Sequence, residues 1–247
     1  MLNLSAIPPD SLLGKTLRSP LRLVPKEARV RVLTGPMRGK RWIAGSSHVG
    51  CWLGTAELLK VRRVASILKP GMKCIDVGAN VGYYTLIISV LVGPKGKVYA
   101  FEPLPKNLDY LERHIAMNRC SNVEIFDAAL SDFEGEASFA EGATRSMGHL
   151  DPGGTLKVRC TRLDTMLAEG AVTAPDFVKI DAEGEEVKVL EGAREMLRAS
   201  RPPIFLSTHS HDLHTACCGF LTGLGYTLEP LDEQPIENSR EMLAHVA

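Results

Sequence analysis

The segment Asp76-Val77-Gly78-Ala79-Asn80-Val81-Gly82 carries the most chemical content in the chain. An apolar run, Cys74–Val77, leads into two glycines spaced G-x-x-x-G, and a long apolar stretch follows. Glycine lets a strand turn sharply into a helix and lets a ligand come close to the backbone. Twenty residues after Gly82, behind a second apolar run, stands Glu102. A carboxylate there can accept hydrogen bonds from both hydroxyls of a ribose. A dinucleotide site would instead need G-x-G-x-x-G, with pyrophosphate on the helix N-terminus. The spacing here differs, and Asp76 beside the turn would repel pyrophosphate. It suits a ligand with a positive amino group, such as S-adenosylmethionine, which joins an adenosine to a sulfonium and an amino-acid end. A strand–helix turn with no ligand is the plain alternative.

Two further sets of reactive groups follow apolar runs. Asp181 and Glu183 come after Phe177–Ile180, and Thr208 and His209 come after Ile204–Leu206. If these runs are parallel strands, both ends face one crevice. A group transfer to an acceptor that must lose a proton needs alignment and a group that takes that proton. Imidazole titrates near neutrality, so His209 is the expected general base. Asp181 with Glu183 has the oxygen chemistry for Mg²⁺. Alternatively, Asp181 only orients, and the acids of Glu183-Gly184-Glu185-Glu186 favour a helix N-terminus. The run His209-Ser210-His211-Asp212-Leu213-His214 fits no zinc spacing. Asp212 is expected to cap a helix, with His211 and His214 partly exposed at its start. Arg145 and His149, in the stretch 141–149, read as acceptor contacts on a flap, or as parts of a solvated connector.

The elements that position these groups alternate. Arg29–Leu33 and Arg41–Ile43 suggest a hairpin after an irregular arm, and Glu57–Leu68 a helix. Strands are expected at 74–77, 98–101, 123–126, 177–180, 204–206 and 226–228. Helices are expected at 81–92, 105–118, 185–198 and 213–224. Repeated β-α units imply a mostly parallel sheet with helices on both faces. Residues 136–160 break the pattern as an insert, with Ala137–Phe139 and Leu156–Cys160 strand-like and the Gly-rich stretch between them resembling a loop or flap. The reading divides the chain into a leader, 1–63, and a catalytic domain, 64–247.

Composition bounds the rest. The chain has 247 residues, 45% apolar and 23% charged, which suits a globular protein. The longest apolar stretch is far short of the roughly 20 residues of a membrane helix. Six scattered cysteines without CxxC spacing suggest a reducing cytoplasm and no zinc site. The net charge of zero conceals a split. Residues 1–63 hold 12 Lys/Arg against 3 Asp/Glu, a balance of +9, and the remainder balances at −9. The leader could dock on the acidic domain, or hold an anionic acceptor such as a nucleotide-linked sugar.

The sequence resembles the FkbM-type S-adenosylmethionine-dependent methyltransferases. The matching blocks are 76–85, Phe101-Glu102-Pro103, Asn107, Asn118, Ala129-Leu130-Ser131-Asp132, Gly135, 177–186, Val189-Leu190 and Gly192-Ala193. Gly35-Pro36 and Trp52–Glu57 resemble the leader of some members. The resemblance implies a class I methyltransferase fold (Rossmann-like α/β, mostly parallel, with one antiparallel edge strand). It implies O-methylation of a sugar, glycolipid or polyketide-type small molecule. By this resemblance Asp76, Gly78, Ala79, Asn80 and Gly82 surround the methionine part of the cofactor, with Asp181 near it. Glu102 holds the ribose, Pro103 lies against adenine, and Ala129 and Leu130 border that pocket. Tyr84 is either a cofactor contact or a core aromatic. Asp181 also resembles a magnesium ligand of some small-molecule O-methyltransferases. One departure stands out: Ser207 occupies the place, two before His209, where the family usually has an acid. The rival readings are a nucleic-acid methyltransferase that grips phosphates with the leader, and a cofactor-binding protein without activity. The Asp-Ala-Glu-Gly after the fourth strand argues against nucleic acid, since amino-methylating enzymes of DNA usually carry Pro-Pro-aromatic there.

Overall fold

The structure, a computed structural model, describes residues 23–141, 148–150, 153–232 and 234–246. The described part of the leader contains a hairpin of β1 (Arg29–Arg31) and β2 (Arg41–Ile43), in which Val30 faces Trp42. Two helices follow, α1 (Gly50–Leu53) and α2 (Leu58–Ile67). The alternating part then begins: β3 (Lys73–Val77), α3 (Tyr83–Val92), β4 (Lys97–Phe101), α4 (Pro105–Asn118) and β5 (Val123–Phe126). After an insert come α5 (Leu163–Ala168), β10 (Phe177–Ile180), α6 (Glu186–Gly192), α7 (Arg194–Ser200) and β11 (Ile204–Ser207). The chain ends with α8 (His211–Gly223), β12 (Thr227–Pro230) and β13 (Glu241–His245).

Seven strands form the central sheet in the order β12-β13-β11-β10-β3-β4-β5. Every residue of β10 and β11 is buried, as expected of strands covered on both faces. The sheet is parallel except at β13, which runs antiparallel to both β11 and β12. The antiparallel strand therefore lies one place in from the edge, and β12 is the edge. The tail that forms β13 carried no strand signal in the sequence. Its Met242, Leu243 and Ala244 are buried, so packing rather than propensity makes it a strand.

Chain direction across the sheet reverses its progression between β3 and β10, which are direct neighbours. This is a topological switch point, where a crevice opens beyond the carboxyl ends of the strands. One core cluster fills the face under α5 to α8, with Leu190, Leu197, Cys217 and Leu221. A second contains Ile87, Val92, Val98 and Phe205, and in the same cluster Val32, Trp42, Trp52, Val61 and Val64 of the leader. The boundary expected at residue 63 thus falls inside α2, and the described leader shares a core with the catalytic part.

One expected element differs. The single helix 185–198 is two, broken at Ala193. A Cβ on Gly192 would stand 1.9 Å from the carbonyl oxygen of Ser131, so backbone meets backbone where α6 ends. The insert is a four-stranded sheet of β6 (Ala129–Leu130), β7 (Gly135–Glu141), β8 (Gly148–Leu150) and β9 (Leu156–Thr161), in the order β6-β9-β7-β8. No helix among the described residues is long and apolar enough to cross a membrane.

Candidate active site

The carboxyl ends of β3 and β10 are joined tightly. Asp181 N donates to Val77 O at 3.2 Å, and Gly78 has φ 69°. A Cβ on Gly78 would lie 1.9 Å from the Asp181 carbonyl oxygen, so only glycine lets the two strand ends meet. Asn80 follows in the left-handed region, and Gly82, φ 91°, starts α3 against Leu111.

Below this junction two central strands bury opposite charges. Lys179 stands beside Asp76 in the β10–β3 register. Its Nζ lies 3.3 Å from Asp76 Oδ1 and 3.7 Å from Asp181 Oδ2, and it donates to Gly78 O at 2.9 Å. Asp76 also accepts from Thr85 Oγ1 at 2.6 Å. Burial alone would push the Lys179 ammonium pKa down, but the two carboxylates more than offset it and the net shift is upward. Lys179 appeared in the sequence only as a strand residue. A lysine inside an otherwise apolar strand was the signal that could have marked it.

Above the junction lies a cleft of about 240 Å³. Of the residues singled out in the sequence, Gly78, Ala79, Asn80, Tyr84, Glu102, Pro103, Ala129, Leu130, Asp181 and Glu183 line it. Asp76 and Gly82 do not. Asp76 is fully buried behind the turn, and Gly82 serves the backbone. Glu102 is buried at the end of β4. Its Oε2 accepts from Asn80 N at 2.8 Å, and its Oε1 accepts from Leu104 N and Asn107 Nδ2 at 3.0 and 3.1 Å. Burial raises its pKa, against the pull of those three bonds. Oε2 keeps acceptor capacity beyond the Asn80 bond. Leu104, Ala128, Ala129, Leu130 and Phe139 give the same cleft an apolar wall.

The leader supplies Ser47, His48, Cys51, Ala56 and Glu57 to the opposite wall, which sequence reasoning missed. Tyr84 is both things expected of it as alternatives. It lines the cleft, yet it is buried, packs against Phe205 and donates its hydroxyl to Glu57 Oε2 at 2.6 Å.

His209 follows β11 and reaches the cleft through its partners. Its Nε2 lies 3.4 Å from both Asp181 Oδ1 and Glu183 Oε2. Its Nδ1 lies 2.7 Å from Oε1 of Glu186, which is fully buried. The carboxylate–histidine pair that Ser207 had put in doubt is therefore present, with the acid supplied by α6. Glu186 also accepts from Gly184 N at 3.0 Å and holds the loop after β10. The hydrogen bond that His209 Nδ1 donates to Glu186 is the main reason the imidazole pKa is raised, with burial opposing it. Burial raises the Glu183 pKa too, while His209 lowers it.

One further imidazole serves structure. His214 is buried, not exposed as expected, and its ring nitrogens contact Thr208 Oγ1 at 3.2 Å and Ile236 O at 2.6 Å. Ser210 rather than Asp212 caps α8, accepting from Leu213 N at 3.2 Å. His149 stands on β8 opposite Ala140, and Arg145 lies outside the described residues.

The cleft holds five carboxylates, of Glu57, Glu102, Asp181, Glu183 and Glu185, against the one lysine, Lys179, among its described lining residues. That balance repels a pyrophosphate and suits a cationic ligand. An acid at the end of β4 beside an apolar wall suits a nucleoside. The donor set therefore fits S-adenosylmethionine.

Comparison with known proteins agrees with this geometry. A model of the methyltransferase FkbM domain matches residues 76–228, more than half of the chain. The hexuronic acid methyltransferase AglP of Haloferax volcanii is 31% identical over 127 residues, 50% of this chain and 51% of that protein. The chain thus spans about half the length of that relative. The 31-O-demethyl-FK506 methyltransferase FkbM of Streptomyces tacrolimicus is 27% identical over 52% of this chain and 62% of its own. Among solved structures, methyltransferase FkbM of Methylobacillus flagellatus aligns with a TM-score of 0.53 at 17% identity, over 80% of this chain and 53% of its own. Aeropyrum pernix fibrillarin with bound S-adenosyl-L-methionine aligns at 0.50 and 16%, over 76% and 74%. Both show the class I methyltransferase fold. With its glycine turn, its acid after β4 and the block around Asp181 all inside the matched region, the chain belongs to the FkbM family of methyltransferases.

Proposed function

We propose that this protein transfers a methyl group from S-adenosylmethionine to a hydroxyl oxygen of a sugar or polyketide-type small molecule. The observation that carries the oxygen chemistry is the Glu186–His209 pair, 2.7 Å apart beside the cleft acids. Relatives named for a hexuronic acid, for a 2-O position (NoeI of Sinorhizobium fredii) and for a 31-O position support the acceptor class.

In this reading bound S-adenosylmethionine supplies an already activated methyl group. The chain's own residues do the rest. Glu102 takes the ribose hydroxyls, and Pro103, Ala129 and Leu130 take the flat base. The Gly78-Ala79-Asn80 turn and Asp181 border the remainder. A carboxylate on Nδ1 fixes the imidazole tautomer with its proton there, which leaves the Nε2 lone pair to receive the acceptor's proton. Asp181 and Glu183, 3.4 Å from Nε2, stabilise the imidazolium that results.

The described basic residues of the leader do not line the cleft, and several are engaged elsewhere. Lys60 pairs with Glu241, and Arg63 with Glu229. The leader is thus read as a wall of the site docked through charge, which also leaves the nucleic-acid reading without described phosphate contacts in the cleft.

A second reading shares the same atoms. One ligand atom each from Asp181, Glu183 and His209 lie within 4.8 Å of one another. Two oxygens and an imidazole nitrogen, with Glu186 behind the ring, form a donor set for a divalent cation, and the nitrogen favours Mn²⁺ or Zn²⁺ over Mg²⁺. A cation there and a proton-accepting Nε2 exclude each other.

The test of the main reading is turnover. The purified chain, given S-adenosylmethionine and a panel of hydroxylated sugars and polyketides, should release S-adenosylhomocysteine with at least one acceptor and add 14 daltons to it. Binding of the methyl donor with no product from any hydroxyl compound would favour a non-enzymatic or differently directed protein.

A further inference from the structure

Glu57 stands at the end of the leader, just before α2, with its backbone in the left-handed region at φ 48° and ψ 41°. That conformation is disfavoured for any residue with a Cβ. Five non-glycine residues among those described adopt positive φ. Arg119 and Arg201 cap the ends of α4 and α7, a common place for it. The other three, Glu57, Asn80 and Glu183, all line the cleft. Three such residues gathered at one site, away from any helix C-terminus, point to function.

An acid before a helix ordinarily turns its carboxylate onto the free N–H groups of the first turn. Glu57 makes no such bond. Its Oε2 instead accepts from Tyr84 Oη at 2.6 Å, and its Oε1 lies 3.6 Å from Lys60 Nζ. Lys60 is itself tied to Glu241 on β13, so the carboxylate is held from two sides. It nevertheless keeps 38% of its side-chain surface exposed, and it lines the cleft.

Its neighbours indicate which part of a ligand it meets. The nucleoside end is set by Glu102 and the apolar wall of Leu104, Ala129 and Leu130. Glu57 shares its wall with Tyr84, whose ring lies 5.6 Å from Lys179 Nζ at the junction of β3 and β10. In the cofactor reading, where Glu102 and the apolar wall take the nucleoside, the amino-acid end of the methyl donor falls at that junction. It carries an ammonium, which a half-exposed carboxylate attracts, and a carboxylate, which Glu57 would repel.

We propose that Glu57 binds the α-ammonium group of the methyl donor, so that the leader, and not the methyltransferase core alone, completes the cofactor site. This rests on the cofactor reading above.

Calorimetry on the full chain separates the two. The probes are S-adenosylhomocysteine and 5′-methylthioadenosine, which keeps the adenosine and the sulfur but lacks the amino-acid end. Glu57→Gln should weaken S-adenosylhomocysteine roughly ten- to hundredfold and leave 5′-methylthioadenosine within about twofold. Tyr84→Phe, which frees the carboxylate without removing it, should show the same selectivity with a smaller loss. Unchanged melting temperatures of the unliganded variants exclude a folding effect. Equal loss of both ligands, or full retention of S-adenosylhomocysteine, overturns the assignment. If the wild-type chain binds neither compound, the cofactor reading itself fails, and this one with it.

Discussion

Glu186 Oε1 lies 2.7 Å from His209 Nδ1, although the two residues come from different β-α units. Ser207 holds the place where the family usually keeps an acid, and it faces Glu241 across the β11–β13 pair. The histidine's carboxylate thus comes from the start of α6, where the loop after β10 folds back. Glu186→Gln should lower kcat by roughly 10²-fold and leave S-adenosylmethionine affinity close to wild type. A neutral base is the active form, so activity falls as pH drops through the raised imidazole pKa. Removing the carboxylate charge should move that acid limb to lower pH. His209→Ala should lower kcat at least as far. Pre-steady-state turnover and a pH–rate profile check both.

Glu102→Ala should weaken S-adenosylmethionine at least tenfold, since a carboxylate aimed at two ribose hydroxyls is lost. It should also free Asn80 N, Leu104 N and Asn107 Nδ2. Titration calorimetry measures it, and unchanged affinity would remove Glu102 from the cofactor site.

Lys179→Ala should cost stability more than any surface lysine does. It strips the counter-charge from Asp76, which is fully buried, and breaking one side of a buried pair costs about 3–5 kcal/mol. Chemical denaturation should show the loss, and Lys179→Ala/Asp76→Ala should recover part of it.

Acid should loosen the leader. His114 is fully buried against Trp42, with ring centroids 3.9 Å apart, and burial lowers its pKa from 6.5 to about 4. Its Nδ1 donates to Val81 O at 2.7 Å and its Nε2 accepts from Ile43 N at 3.0 Å, so the neutral ring is required. As pH falls below 6.5 the unfolded chain takes up a proton that the folded chain refuses until about pH 4. Stability therefore drops across that window, by about 3 kcal/mol for this group, and levels off below it. Melting curves between pH 7 and 4 should show the drop, and His114→Gln should flatten it.

Chelation decides between base and cation. With His209 as base, EDTA leaves turnover unchanged. Loss on EDTA and recovery with Mn²⁺ or Mg²⁺ would transfer Asp181, Glu183 and His209 to a metal.

Much of this was legible because strand ends announce themselves. The apolar runs before Gly78, Glu102, Asp181 and His209 placed each of those residues at one edge of a parallel sheet. The sequence could not say which of them meet. Lys179 looked like one more strand residue until the register set it beside Asp76. Glu186 looked like helix-start charge until its side chain proved buried. His214 looked exposed because the tail that covers it had no pattern of its own.

By itself the sequence determined six of the central sheet's seven strands, the glycine turn and the acid after the second strand. Periodicity and backbone chemistry are local, and a short window holds all their information. Only the tertiary structure decided that the leader builds a wall of the cleft, that Glu57 enters it, and that Glu186 replaces the acid missing at Ser207. Those relationships join residues far apart in the chain. Packing of Trp42, Trp52 and Val64 into the common core brings them together, and no local signal encodes the distance between them.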